Sequence, residues 1–269
     1  MPPDIFHENA IILTGASSGI GRELAKLLAA QGAWLALAAR SVDKLDMVAG
    51  ECRERGGRVL VVPTDVSEEA QCKALVEKAA AEFGRIDTLI NNAGMSMWAL
   101  FEDMQTLEPF ERLMHINYLG AVYCAHYALP YLKESKGRLV GVASLTGLTG
   151  VPTRSGYAAS KHALRGFFDT LRIELLGSGV SVTMIYPDFV QTETRMKAWG
   201  ADGQPLQRSP VREGKVMDVE TAGRMILKTI KKRKRELIMS RRGWLGMWAK
   251  LVAPGLVDRI ALRAIRRGR

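Results

Sequence analysis

Short unbroken apolar runs alternate along this chain with longer stretches whose apolar residues recur at helical spacing. Ala10 to Thr14, Trp34 to Ala39, Arg58 to Val62, Ile86 to Ile90, Arg138 to Val142, Ser181 to Tyr186 and Glu236 to Met239 read as strands. Between them, Gly21 to Gln31, Ser41 to Arg55, Ser67 to Phe83, Pro109 to Lys133, Tyr157 to Leu176 and Val219 to Lys232 read as helices. Leu24, Leu27 and Leu28 mark the apolar face of the first helix. Ser41 and Ser67 stand where a side chain caps a helix N-terminus. The strands are continuously apolar rather than alternating, so both faces of their sheet are covered. Strand–helix alternation with these connections predicts an α/β fold: one doubly wound parallel sheet of about seven strands, in a single domain over residues 1–240. Residues 241–269 stand apart from the pattern as a tail.

Composition narrows the class. A chain of 269 residues with 47% apolar and 25% charged residues can bury a full core without metals or disulfides. Cys52, Cys72 and Cys124 are odd in number and lack paired spacing, which reads as three reduced thiols in a cytoplasmic protein. The first ten residues carry Asp4, His7 and Glu8 and no long apolar run, so no signal peptide is expected. His115, His126 and His162 share no ligand spacing with one another or with a cysteine, so no metal is expected. The net charge of +10 is uneven: Lys231 to Arg269 holds 13 basic and 2 acidic residues, and the rest is close to neutral.

Chemistry enters at the first strand–helix turn, Thr14-Gly15-Ala16-Ser17-Ser18-Gly19-Ile20-Gly21. Gly15 permits a tight turn, and Gly19 and Gly21 let the backbone approach a pyrophosphate closely. The following helix offers unpaired N–H groups and the positive end of its dipole. The second strand ends in Ala39-Arg40-Ser41, without the acid that binds the ribose 2′-hydroxyl of NAD. Arg40, assisted by Arg22, can pair with a 2′-phosphate instead, so NADP(H) is the expected cofactor.

Tyr157 and Lys161 lie at i and i+4 on one helix face. A free phenol has a pKa of about 10, and a neighbouring ammonium lowers it, so the pair can run acid–base chemistry on an alcohol. Lys161 is also in reach of a nicotinamide ribose. Ser144 ends the fifth strand, where its hydroxyl can hold a substrate oxygen. Asn117, within a helix, can hold a water that relays protons from Lys161.

These motifs, TGASSGIG at 14–21, Asp65-Val66, Asn91-Asn92-Ala93-Gly94, Asn117, Ser144 and Tyr157-x-x-x-Lys161, occur in the order that resembles the short-chain dehydrogenase/reductase family, over about residues 8–240. The resemblance implies a Rossmann-like fold and a catalytic tetrad of Asn117, Ser144, Tyr157 and Lys161. It implies cofactor contacts from Gly15, Ser17, Ser18, Gly19, Ile20, Gly21, Tyr157, Lys161 and Pro187. It also implies that Asp65 and Val66 border the adenine, that Asn92, Ala93 and Gly94 line the groove, and that the Val190 backbone and Thr192 meet the nicotinamide amide. Dimers or tetramers are implied too. The family's usual Pro-Gly after the sixth strand is here Pro187-Asp188. Glycine allows backbone angles that aspartate adopts only with strain, so an effect on substrate preference or cofactor geometry is expected.

Residues 188–216 are polar and irregular, with Pro205 and Pro210, and fit the family's substrate lid. Met95, Met97, Trp98, Leu145, Leu148 and Trp199 fall in or beside the pocket loops, either lining it for a lipophilic carbonyl or alcohol or belonging to the core. In the tail, Trp244 to Ala253 is apolar with one lysine, Pro254 interrupts it, and Asp258 to Arg269 reads as an arginine-bearing helix. The apolar part is short of the ~20 residues that span a bilayer. Tryptophans flanked by cations suit a peripheral anchor on anionic lipid that gates a lipophilic substrate. A solvated tail, or packing against the body or another subunit, also accounts for it. Nucleic-acid binding ranks below these, because no base-reading module is present. The expected activity is hydride transfer between NADP(H) and a carbonyl or secondary alcohol. The alternatives are an epimerase or dehydratase on the same cofactor site, or a non-catalytic nucleotide-sensing or scaffolding protein on the same fold.

Overall fold

The computed structural model describes residues 5–192, 197–207 and 216–268, with side chains described up to residue 263. The elements run β1 (Ala10–Thr14), α1 (Gly19–Ala29), β2 (Trp34–Ala39), α2 (Val42–Arg53), β3 (Arg58–Pro63), α3 (Glu69–Phe83), β4 (Thr88–Asn91), α4 (Glu108–Met114), α5 (Gly120–Glu134), β5 (Arg138–Val142), α6 (Ser155–Glu174), β6 (Ser181–Tyr186), α7 (Val219–Lys231), β7 (Glu236–Ile238), α8 (Arg241–Val252) and α9 (Pro254–Gly268). Among the described residues the strands form one seven-stranded sheet, ordered β3-β2-β1-β4-β5-β6-β7 and parallel throughout.

Strand periodicity divides the core into two layers. Ile11, Leu13, Leu35, Leu37 and Ile90 point to the face covered by α1, α2 and α7, where Leu24, Leu45 and Ile226 meet them. Ile12, Ala36, Ala38 and Leu89 point to the face covered by α3, α5 and α6, against Leu75, Cys124 and Phe168. Each fully buried leucine or isoleucine contributes roughly 1.5–3 kcal/mol of apolar transfer. Because β1 lies between β2 and β4, the winding reverses beside it. That leaves a crevice at the carboxyl ends of β1 and β4, the place where open α/β sheets bind ligands.

Several local expectations need correction. Ser41 occupies the N-cap of α2, but its side chain makes no capping bond. Ser67 does not cap α3, which starts later at Glu69. Its N–H and hydroxyl turn back to the Asp65 carboxylate, at 3.0 and 2.7 Å, because a short acidic side chain two residues upstream competes for them. The single run from Pro109 to Lys133 is α4 and α5 joined by a π-helical turn, His115–Leu119. α6 begins two residues before Tyr157. Pro254 interrupts the tail as expected, between α8 and α9, but the second helix starts at Pro254 itself rather than at Asp258, since a missing N–H costs nothing in a first turn.

Candidate active site

The crevice opens into a cavity of about 1060 Å³ that runs from the glycine turn to α6 and on to α8 and α9. Gly15, Ser17, Ser18, Ile20 and Gly21 line one end. Gly15 has φ +65°, and a Cβ there would stand 2.8 Å from the Ala93 Cα. A Cβ on Gly21 would collide with the Gly15 carbonyl and the Asn92 amide. The turn therefore lies flat against the β4 loop. Asn92 fixes it by donating through Nδ2 to the Thr14 and Gly15 carbonyls, at 3.0 and 3.2 Å, while the Asn92 and Ala93 N–H groups donate to Thr14 Oγ1, both at 3.0 Å. This glycine cradle, with the α1 N-terminus behind it and a cavity of this size ahead, fits a dinucleotide.

Arg40, Asp65, Val66, Asn92, Ala93 and Gly94 continue the wall toward the sheet centre. Arg40 is largely exposed and stands 3.9 Å from Asp65. Arg22, expected to assist Arg40, does not line the cavity. It forms a two-pronged ion pair with Glu51 of α2, whose carboxyl falls below its ordinary range chiefly through that bond. Lys44 and Ser41 line the cavity beside Arg40 in its place. Lys44 was not foreseen, although it lies one helical turn past Arg40.

Ser144, Tyr157, Lys161, Pro187, Val190 and Thr192 line the other end. Gly19 and Asn117 are not in the wall, and Asn117 lies 1% exposed behind it. Its Nδ2 donates to the Met95 carbonyl and to Ser160 Oγ, both at 2.9 Å, and its Oδ1 accepts from the Met95 N–H at 2.8 Å. Both amide donors are thus occupied, and the side chain holds the loop after β4. The π turn is what directs it there. Ser160, unforeseen, passes the connection on by donating to the Tyr157 carbonyl at 2.8 Å.

Lys161 is 3% exposed and donates from Nζ to the Val142 carbonyl at 3.0 Å. Burial lowers it to about 8. Its Nζ lies 5.8 Å from the Tyr157 ring centre. The phenol is raised above its ordinary value, chiefly by burial. Arg154 and the hydroxyls of Ser144 and Thr146 pull it down, without reversing the rise. The expectation that the neighbouring lysine lowers this phenol is therefore corrected: burial dominates, and the cation that offsets it is Arg154. In this state a second cation, Arg154, stands over the ring at 5.6 Å, stacked also on Trp98 at 4.2 Å and donating to Ser96 Oγ at 3.1 Å.

Of the six apolar residues expected at the pocket, Met95, Leu145 and Leu148 line it. Met97 and Trp199 instead form a small core cluster with Leu113. The segment expected as a lid is described at 188–192, 197–207 and 216; residues 193–196 and 208–215 lie outside the described residues. Asp188 is not strained, because its φ is not positive. Its carboxylate accepts from Phe189 N–H at 2.8 Å and from Arg242 Nε and Nη2 at 2.7 and 2.6 Å. Burial raises that carboxyl, but the bonds from Arg242, Ser240 and Phe189 outweigh it and leave the pKa lowered.

The short chain dehydrogenase family matches residues 9–202. An Arabidopsis thaliana 11-beta-hydroxysteroid dehydrogenase-like protein (4A) is 44% identical over 182 residues, which is 67% of this chain and 60% of that one. The match thus spans about three-fifths of that relative's length. A Burkholderia phymatum short chain dehydrogenase/reductase solved with NAD superposes with a TM-score of 0.82 at 26% identity, covering 93% of this chain and 95% of the other. An alcohol dehydrogenase from Thermococcus sibiricus, solved with 5-hydroxy-NADP, gives 0.72 at 28% identity, covering 85% and 94%. With its glycine turn, its tyrosine–lysine helix and this match over most of its length, the chain belongs to the short-chain dehydrogenase/reductase family.

Proposed function

We propose that the chain is an NADP(H)-dependent oxidoreductase that interconverts a lipophilic carbonyl and a secondary alcohol, with Tyr157 as proton donor and acceptor. The observation that carries this reading is the meeting of Ser144, Tyr157 and Lys161 at one end of a cavity whose other end is the glycine cradle. A nicotinamide dinucleotide supplies the hydride chemistry when bound. The chain orients and polarises. The Ser144 hydroxyl holds the substrate oxygen, and the Tyr157 hydroxyl gives it a proton in reduction or takes one in oxidation. Burial keeps the phenol protonated at neutral pH, so it holds the proton that reduction needs, and Arg154 beside it offsets part of the cost of giving that proton up. Lys161 and Arg154 stabilise the phenolate left behind. Thr192 and the Val190 backbone, which line the cavity, would hold the amide end of a bound cofactor. The cluster of Arg40, Ser41 and Lys44 favours a 2′-phosphate, hence NADP(H) over NAD(H). The hydroxysteroid name of the Arabidopsis relative agrees with a lipophilic substrate. A screen of lipophilic ketones, aldehydes and secondary alcohols with both cofactors, read by nicotinamide absorbance, tests this. Turnover preferring NADPH supports it, and no turnover of any of them with either cofactor overturns it.

α8 and α9 expose Trp244, Leu245, Trp248, Leu251, Val252 and Leu256 beside the basic run of the C-terminal region. No described helix is long and apolar enough to cross a membrane. We read this face as lying on an anionic lipid surface. The full chain then floats with vesicles of phosphatidylglycerol and not of phosphatidylcholine. A full-length Trp244→Glu/Trp248→Glu variant that floats equally well removes the reading. Light scattering reads the dimer or tetramer that the family leads us to expect.

A further inference from the structure

The family match ends at residue 202, but the cavity wall continues past it. Gly243 and Gly246 of α8 and Ile260 of α9 line it together with Leu145 and Phe189. α8 lies hard against the turn that carries Ser144: a Cβ on Gly243 would stand 2.5 Å from a Leu145 methyl. Two fastenings hold its first turn. Ser240 caps it, accepting from the Gly243 N–H at 3.1 Å. Arg242 grips Asp188, whose side chain is only 13% exposed. Asp188 stands where the family usually has glycine, between Pro187 and Phe189, and it lines the cavity together with both neighbours and Arg242. A carboxylate this deep is costly without a partner, so the pair holds α8 firmly to the loop after β6.

We infer that α8 and α9 build a distal apolar subsite of the substrate cavity, clamped by the Asp188–Arg242 pair, which takes the apolar end of an extended carbonyl substrate. The identity of the reacting end rests on the reductase reading; the subsite itself does not. Gly246 is the position that exposes it. The residue lines the cavity and a Cβ there meets nothing within 4 Å, so a larger side chain at this position has room beside the cavity wall. A phenylalanine at that position fills the space without backbone strain, because Gly246 has ordinary helical φ, and it favours the helix. Asp188 and Arg242 act as positioning residues: they hold the wall in place rather than touch the reacting atoms.

The test titrates the full chain, without cofactor, with Prodan, a neutral naphthyl ketone whose fluorescence reports apolar burial. Gly246→Phe is expected to weaken binding at least tenfold while its circular dichroism melt stays that of a folded chain. Arg242→Gln is expected to weaken it several-fold and to raise amide hydrogen exchange across α8, and Arg242→Lys to recover part of both. The exchange readout keeps the clamp falsifiable if affinity alone proves insensitive. Wild-type affinity in Gly246→Phe, or no binding by the wild type, overturns the subsite. Unchanged α8 exchange in Arg242→Gln overturns the clamp. A wild type that binds Prodan yet turns over no carbonyl with either cofactor overturns the reductase reading and leaves the subsite standing.

Discussion

Replacing Lys161 by methionine makes this chain more stable at neutral pH and less stable in alkali. Lys161 is 3% exposed, and its Nζ has one hydrogen bond among the described residues, to the Val142 carbonyl. Burial holds its pKa at about 8, against 10.5 for the free side chain. Below pH 8 both folded and unfolded chains carry the proton, and the folded chain bears the full cost of a buried ammonium. Between pH 8 and 10.5 the unfolded chain binds the proton and the folded chain does not, so stability rises with pH through that window. At about 1.4 kcal/mol per pH unit, the rise amounts to about 3 kcal/mol. Methionine removes the charge and keeps the packing of the stem, but leaves the Val142 carbonyl without its donor, at a cost of about 1 kcal/mol. Cofactor-free Lys161→Met is thus about 2 kcal/mol more stable than wild type at pH 7 and about 1 kcal/mol less stable at pH 10.5. Urea unfolding of both proteins at half-unit steps measures the difference directly and cancels the buried cysteines and tyrosines that titrate in both. A difference that is flat with pH, or that slopes the other way, refutes the reasoning.

Asn117→Ala removes three hydrogen bonds at once and strands the Met95 N–H and carbonyl; a loss of roughly 2–4 kcal/mol is expected in thermal or urea unfolding. Arg40→Ala is expected to raise the KM for NADPH roughly tenfold or more and to leave that for NADH nearly unchanged, since a charge-assisted phosphate contact contributes roughly 1.5–3 kcal/mol. Equal effects on both cofactors contradict the 2′-phosphate assignment.

The seven strands, their parallel doubly wound arrangement and the glycine turn were legible in the sequence because apolar runs and glycine chemistry are local signals, whereas the order of the strands in the sheet was not read from it. Ile11 and Leu13 fall on one face and Ile12 on the other for the same period of two that marks any strand. The π turn at His115–Leu119 was not legible, because nothing in the spacing of apolar residues separates a widened turn from an ordinary one. Its consequence, an Asn117 side chain committed to Met95 and Ser160, depends on a loop 22 residues away in sequence. Arg22 illustrates the same limit. Its position favoured the cofactor, but Glu51 on the neighbouring helix, 29 residues on, claims it. Asp188 was legible as a departure and misread as strain, since its explanation, Arg242, lies 54 residues downstream. Tail residues looked independent for that reason, and only the assembled cavity joins Gly243, Gly246 and Ile260 to Ser144 and Tyr157.

The central claim is that one hydroxyl moves the proton, and Tyr157→Phe isolates it. Phenylalanine retains the ring that packs beneath Arg154 and beside Met97 and Trp199, and deletes only the oxygen. Rapid-mix measurement of NADPH oxidation with whichever ketone the wild type reduces best gives the rate of the chemical step in each protein. A fall of roughly 10³-fold or more with NADPH affinity within a few-fold of wild type is the predicted result. A variant that keeps the wild-type rate within tenfold contradicts the account.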